Sequence, residues 1–242
     1  MKIFLVGEGA TDCGQKWYDE RKAEYVWLNG PIQVYIHKAH PDAEILAMDK
    51  LTFSVESAER QVKRNGKTLR ELSELSGHGK KAFFVADMAR EKGCDVTAMY
   101  VDADKAQGPA PKSEHECRKR YNEVCGDVKV GLQKGGAKKY LAIVPMKMIE
   151  CWIMGDPEAF PAAFGKAVDK ALPKAPELIW GDEHDPASDY PKNRLQKVMT
   201  QCGTECCRET YTEIAEHSKL EVLSTRCPIS FADFNDQLVG LT

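Results

Sequence analysis

Short apolar runs that stop at a turn recur along this chain, with charged, helix-spaced stretches between them. Lys2–Val6 ends in Gly7-Glu8-Gly9, residues 96–101 end in Asp102-Ala103-Asp104, and residues 140–144 meet Pro145. A run of about five apolar residues bounded by turn signals reads as a buried strand, and strands alternating with helices read as an open, mainly parallel α/β sheet. Ligands of such sheets meet the loops beyond the carboxyl ends of the strands. Both acidic turns lie at such ends.

Spacing assigns the intervening segments. Residues 15–28 read as a helix, and residues 32–37, where Ile32, Val34 and Ile36 alternate, read as a second strand. Residues 56–92 carry apolar positions three and four apart. They read as two helices, inserted in the sheet domain and separated near Gly77-His78-Gly79. A helix is expected over 113–124, and after Pro145 the positions Met146, Ile149, Trp152 and Ile153 take helical spacing. Beyond residue 156 prolines punctuate helices and no further strand is expected. Ser230-Phe231-Ala232-Asp233 has the form of a capping box with Asp in place of Glu. The expected division is an α/β domain over 1–156 and a helical extension over 157–242 that caps the sheet.

Composition narrows the function classes. No apolar run in the 242 residues approaches the roughly 18 that a membrane span needs, so no membrane contact is expected. The five-residue run at the N-terminus is too short for the apolar part of a secretory signal. Nine cysteines, an odd number in a chain of this size, argue against a disulfide framework and for a reducing cytoplasm. Residues 59–147 hold a surplus of Lys and Arg, while both ends are acidic and the whole chain carries −3. That balance excludes a protein that coats DNA through bulk charge, and any contact with nucleic acid is expected to be local.

The chemistry concentrates in the acidic turns. Gly7-Glu8-Gly9-Ala10-Thr11-Asp12 matches the dinucleotide fingerprint only superficially, because Asp12 stands at the third glycine. Glu8 and Asp12 would set carboxylates beside pyrophosphate oxygens, so this loop repels phosphate unless a cation intervenes. Asp102 and Asp104 leave one strand at i and i+2, on the same side while strand geometry persists, and both offer hard oxygens to Mg²⁺. Glu8, Asp102 and Asp104 form the candidate metal site, with Asp12 beside it and Mn²⁺ as an alternative ion. Each motif alone is an ordinary turn or solvated loop, and their joint occurrence after strands carries the reading.

Other groups are weaker. Lys134, Lys138 and Lys139 flank a glycine pair and read either as a phosphate cradle or as a solvated basic turn. Arg118, Lys119 and Arg120 read as an exposed helix face. Cys202, Cys206 and Cys207, with His217 and Cys227 downstream, lack the paired spacing of a zinc site, and zinc is not expected.

A strand ending in Glu-Gly, followed by a strand ending in Asp-x-Asp, resembles the TOPRIM domain of topoisomerases, bacterial primases and the overcoming-lysogenization-defect nucleases. The resemblance implies acid/base work for Glu8 and Mg²⁺ binding for Asp102 and Asp104. The interval from Glu8 to Asp102 is longer than the compact TOPRIM spacing, and the segment 56–92 accounts for it as an insertion. Four further segments, Pro145-Met146-Lys147-Met148-Ile149-Glu150-Cys151-Trp152, Asp156-Pro157, Tyr190-Pro191-Lys192 and Cys227-Pro228-Ile229-Ser230-Phe231, extend the match. They are similar to a TOPRIM-like family of prokaryotes often encoded beside AAA-type ATPases in mobile or defence loci. That resemblance implies a nuclease acting on DNA or RNA, a role in antiphage defence, an AAA-type ATPase partner, and Glu150 as a fourth catalytic acid. Two other classes stay open: a non-catalytic interaction subunit for such an ATPase, and a hydrolase of nucleotides or other small phosphates.

Overall fold

The computed structural model describes residues 1–62, 72–103, 113–168 and 172–241. Four parallel strands, β1 (Lys2–Val6), β4 (Glu44–Met48), β5 (Val96–Tyr100) and β6 (Lys139–Ile143), form one sheet in the order β4-β1-β5-β6. Alternate side chains of each strand leave opposite faces, so the sheet separates two cores. Ile3, Leu5, Ala98 and Ile143 enter one, and Phe4, Val6, Met99 and Ala142 enter the other. The fold is therefore an α/β sandwich with helices on both sides of a parallel sheet.

The second core is closed by helices Gly77–Glu91 and Glu114–Lys134, which cross between β4 and β5 and between β5 and β6. They pack along a seam of small residues. A Cβ on Gly131 would lie 2.1 Å from the Gly79 carbonyl oxygen, so only glycine permits this approach. The Gly77-His78-Gly79 stretch follows the expected break between helices, which falls at residues 74–76. It opens the helix Gly77–Glu91, whose first turn is capped by the Ser76 hydroxyl accepting from the Gly79 N–H at 3.1 Å. The later part of 56–92 crosses from β4 to β5 against the sheet, and residues 63–71 lie outside the described residues.

The first core is closed by helix Pro31–Ala39 and by the helices that follow residue 148. Trp152 stacks on Phe234 at 5.3 Å between ring centroids and meets Phe231 edge-on at 5.0 Å, all three fully buried. Among the described residues no strand follows Ile143, as expected, and the helical C-terminal part shares one layer of the sandwich with helix Pro31–Ala39. No helix among the described residues is long and apolar enough to cross a membrane.

Two local expectations are corrected and one strand is added. Residues 15–28 form an antiparallel hairpin, β2 (Gln15–Asp19) with β3 (Glu24–Leu28), and not a helix. Their run of Trp, Tyr and Val suits a pleated ribbon, and Tyr18 and Tyr25 meet across it at 5.1 Å. Residues 32–37 lie in helix Pro31–Ala39. Proline at the first position and the buried trio Ile32, Tyr35 and Ile36 fit the helical period, which overrides the alternation of Ile32, Val34 and Ile36. The strand Glu44–Met48 escaped the sequence reading, because it is an edge strand, half-exposed along its length, with no long apolar run.

The capping box at residues 230–233 is also overturned. The Ser230 hydroxyl makes no cap. It accepts from the Met146 N–H and the Trp152 indole N–H, each at 2.8 Å, and donates to Glu177. Asp233 instead accepts from the Tyr121 hydroxyl at 2.6 Å.

Candidate functional site

The connections out of β1 and β5 define the site. From β1 the chain crosses one face of the sheet to β4, and from β5 it crosses the opposite face to β6. The crevice between the carboxyl ends of these two neighbouring strands is the point at which open α/β sheets take ligands. Strand β1 delivers Gly7 and Glu8 to it. Strand β5, hydrogen-bonded to β1 in parallel with Val6 opposite Met99, delivers Asp102.

The loop after β1 is wound tightly against β5. A Cβ on Gly7 would lie 2.3 Å from the Cys13 sulfur and 3.4 Å from the Tyr100 Cβ, and one on Gly9 would lie 2.1 Å from an Asp12 carboxylate oxygen. Gly7→Ala is therefore expected to push Cys13 and the short helix Ala10–Cys13 off the crevice, destabilising the fold by about 1–3 kcal/mol in urea titration. Unchanged stability would show that the loop has room to move.

Three carboxylates border the crevice. Asp102 accepts a hydrogen bond of 2.5 Å from the Tyr100 hydroxyl. Burial first, then the charges of Asp102 and Asp12, hold the Tyr100 phenol well above its usual range. Burial and the same two carboxylates push the Cys13 thiol up in turn. Asp12 and Asp102 thus flank one pair of buried, protonated side chains. Glu8, its side chain only 10% exposed, takes Lys81 of helix Gly77–Glu91 as an ion partner at 2.7 Å. Asp104 lies outside the described residues.

A cleft of about 200 Å³ opens beside this group, walled by Glu8, Gly9 and Cys13 on one side and by Asp49, Lys50 and Leu51 on the other. Asp49 caps helix Lys50–Val62, accepting from the Thr52 N–H at 2.9 Å and the Thr52 hydroxyl at 2.7 Å. Burial raises its carboxyl, but these bonds and that of Leu51 outweigh it and hold it below the usual range. A depressed carboxyl stabilises the fold above its unfolded value of about 3.9, and the contribution is lost as pH falls through the folded value. Asp49→Ala is expected to cost about 1 kcal/mol at neutral pH and to flatten this part of the acid limb.

The far side of the crevice carries residues that spacing alone did not single out. The Ala103 N–H donates to the Pro145 carbonyl at 3.1 Å, which lays the loop after β6 beside Asp102. Two residues on, Lys147 has a left-handed backbone, φ 68°, and is 4% exposed. Non-glycine residues held in this conformation cluster at functional sites. Its ammonium lies 3.8 Å from the Trp180 ring centroid and 4.5 Å from that of Tyr190. Arg120, expected on an exposed face, is buried, with its guanidinium 5.5 Å from the same indole. Lys147 stands inside the motif Pro145-Met146-Lys147-Met148, but a lysine between methionines gives no signal of burial. Lys81 in a charged helix looks like any solvated lysine.

Glu150, the proposed fourth acid, is buried in the first turn of helix Ile149–Ile153 and accepts from the Tyr211 hydroxyl at 3.2 Å. Helix Arg208–His217, which carries Tyr211, also packs on Ala10–Cys13, so one helix borders both Asp12 and Glu150. Lys138 and Lys139 are placed elsewhere. Lys138 precedes β6 and Lys139 opens it, and both line a cavity of about 730 Å³ with Arg90 and Asp95 at the amino ends of the strands. Five strand residues at about 3.3 Å each put them roughly 16 Å from the acidic end. Lys134, at the end of helix Glu114–Lys134, pairs with Glu74 at 3.3 Å. The basic loop and the acidic turns therefore cannot hold the same phosphate.

None of the nine cysteines is in a disulfide. Cys227 is buried and donates to the Cys151 carbonyl, whereas Cys207 faces the Thr210 hydroxyl. Burial raises the Cys206 thiol to about 11. Among the described residues, no three His, Cys, Asp or Glu side chains are grouped as a ready cage for a metal. Comparison with protein-family models, with curated proteins and with solved structures finds no match to this chain.

Proposed function

We propose that this protein is a TOPRIM-like nuclease that hydrolyses phosphodiester bonds of DNA or RNA with Mg²⁺ or Mn²⁺ at the β1/β5 crevice. The observation that carries the reading is that Glu8 and Asp102 lead off the carboxyl ends of two adjacent parallel strands whose crossovers leave in opposite directions. The donor set suits the ion: Mg²⁺ takes one or two protein carboxylates and keeps several waters, so Glu8 and Asp102 suffice as ligands, with Asp12 beside them and Asp104 as the sequence motif's further oxygen. When bound, such an ion polarises the scissile phosphate and lowers the pKa of a water that attacks it.

The chain's own residues supply the rest. The Tyr100 hydroxyl, kept protonated by burial and the neighbouring carboxylates, holds the Asp102 side chain at 2.5 Å. Lys81 neutralises Glu8 and is the cation nearest to it in the described contacts, able to turn toward a phosphate oxygen when Glu8 takes up another partner. Cys13, protonated through burial and two neighbouring carboxylates, does not compete as a nucleophile.

One observation favours a second reading. The Lys81–Glu8 pair satisfies the Glu8 charge from within the chain, which suits a non-catalytic subunit acting through an AAA-type ATPase. Incubation of the protein with plasmid, single-stranded DNA, RNA and mononucleotides in EDTA, Mg²⁺ and Mn²⁺ separates the readings. Metal-dependent cleavage of a polymer supports the nuclease. Nucleic-acid binding without hydrolysis supports the subunit, and hydrolysis of mononucleotides alone supports a small-phosphate enzyme.

A further inference from the structure

The hairpin β2–β3 pairs only with itself in the described structure and carries the most exposed aromatic surface of the molecule. Trp17 is 55% exposed, Tyr18 45% and Tyr25 65%, in a protein that buries Trp152, Phe231 and Phe234 completely. The pairing of Lys16 with Trp27 and of Tyr18 with Tyr25 sets these four side chains on one face, and Trp17 opposite Val26 on the other. The Lys16 ammonium lies 4.4 Å from the Tyr25 ring centroid. An isolated two-stranded ribbon is marginal in water, and large exposed aromatics mark surfaces that meet a partner.

Its root fixes which partner. Gln15, the first residue of β2, walls the same cleft as Glu8, Gly9 and Lys50, so the hairpin rises from the rim of the acidic crevice. Lys16 follows Gln15 on the hairpin, Lys50 walls the cleft, and Lys81 pairs with Glu8 of the cleft wall. Asp19, Glu20 and Glu24 gather at the far end, with Arg21 and Lys22 in the turn. Asp49 and the crevice carboxylates are the acids at the near end. Flat rings with a cation seated on one of them match the chemistry of unpaired bases on a phosphate chain. Each base stacks on a ring regardless of its identity, while Lys holds the backbone. A duplex hides its base faces and cannot use such a surface.

We propose that the β2–β3 hairpin is a stacking platform that takes unpaired bases of single-stranded nucleic acid and leads the strand to the β1/β5 crevice. This names the substrate class of the nuclease reading and rests on it for the direction of the strand.

The test is fluorescence anisotropy with a labelled single-stranded oligonucleotide in EDTA, where cleavage cannot interfere, on wild type and on variants of the Lys16-bearing face, Tyr18→Ala, Tyr25→Ala and Tyr25→Phe. Each alanine variant is expected to weaken binding at least about fivefold, and Tyr25→Phe, which keeps the ring, to stay within about twofold of wild type. The same oligonucleotide annealed to its complement should bind more weakly and without dependence on either ring. Equal affinity of wild type and both alanine variants for the single strand overturns the platform. So does an alanine variant that turns a dimer into a monomer by light scattering with oligonucleotide binding unchanged, which makes the face a contact between copies. Metal-dependent cleavage without ring-dependent binding defeats the platform and leaves the nuclease reading standing. Ring-dependent binding with no cleavage in Mg²⁺ supports the platform and defeats the nuclease reading.

Discussion

On the proposed nuclease reading, Asp102→Asn is expected to lower Mg²⁺-dependent cleavage by about a thousandfold or more while leaving the urea midpoint of the fold within error. An amide keeps the shape of the carboxylate and its oxygen still accepts from Tyr100 at the 2.5 Å position, so packing at the end of β5 is undisturbed. It removes the negative charge that a hard cation needs as a ligand. Loss of the ion from a phosphoryl-transfer site forfeits several kcal/mol of transition-state stabilisation, and about 4 kcal/mol is a factor of a thousand. Glu8→Gln makes a useful companion, because it also breaks the ion pair with Lys81 without emptying the space. Cleavage that survives both substitutions would remove the crevice from the chemistry. A parallel fall in stability and activity would instead show that Asp102 acts on the fold.

The largest expected effect on stability is at Glu177. This residue is 1% exposed in the turn Pro176–Leu178, and its carboxylate accepts from the N–H groups of Ile229 at 2.7 Å, Ser230 at 2.8 Å and Phe231 at 3.3 Å, and from the Ser230 hydroxyl. Through Ser230 it reaches Met146 and Trp152, so one carboxylate ties the last helix to the loop after β6. Glu177→Ala strands these donors in the core and is expected to cost about 3–5 kcal/mol by denaturant titration, whereas Glu177→Gln, which keeps an acceptor oxygen, should cost about 1–2 kcal/mol. A loss near zero for the alanine variant would mean that water reaches the stranded groups.

The pH dependence of this residue runs opposite to that of Asp49. Burial pushes the Glu177 carboxyl above its usual range, and the hydrogen bonds from Ser230 and its neighbours pull it only partly back. A carboxyl raised by folding favours the folded state below its unfolded value of about 4.3, and that contribution is lost as pH rises through the folded value. Stability measured in Glu177→Gln should therefore lose this slope while keeping the one from Asp49.

Fold and site were legible in the sequence to different depths. The central strands β1 and β5 could be read directly, since a parallel strand buried on both faces must be written as an unbroken apolar run, and β6, though at the sheet edge, keeps a buried run over its last three residues. The acidic turns followed from the same pattern, because polarity resumes where burial ends. The edge strand Glu44–Met48 and the exposed hairpin are half-buried or less, and there the local pattern loses its contrast. In Pro31–Ala39 two periods coexist, and only burial of Tyr35 against Trp152 and Phe231 distinguishes them.

The sequence by itself determined that this is an α/β protein with Glu8 and Asp102 at strand ends. Tertiary structure alone decided that those two strands are neighbours, that Lys81 answers Glu8, that Lys147 and Arg120 are buried against Trp180, and that the Lys138–Lys139 pair belongs to the opposite end of the sheet. The reason is physical. Apolar spacing records how much of each residue is buried, a local quantity that each segment carries in its own composition. Which segment lies beside which is fixed by contacts between residues distant in the chain, such as Glu8 with Lys81 and Glu177 with Ser230, and no local pattern encodes a partner.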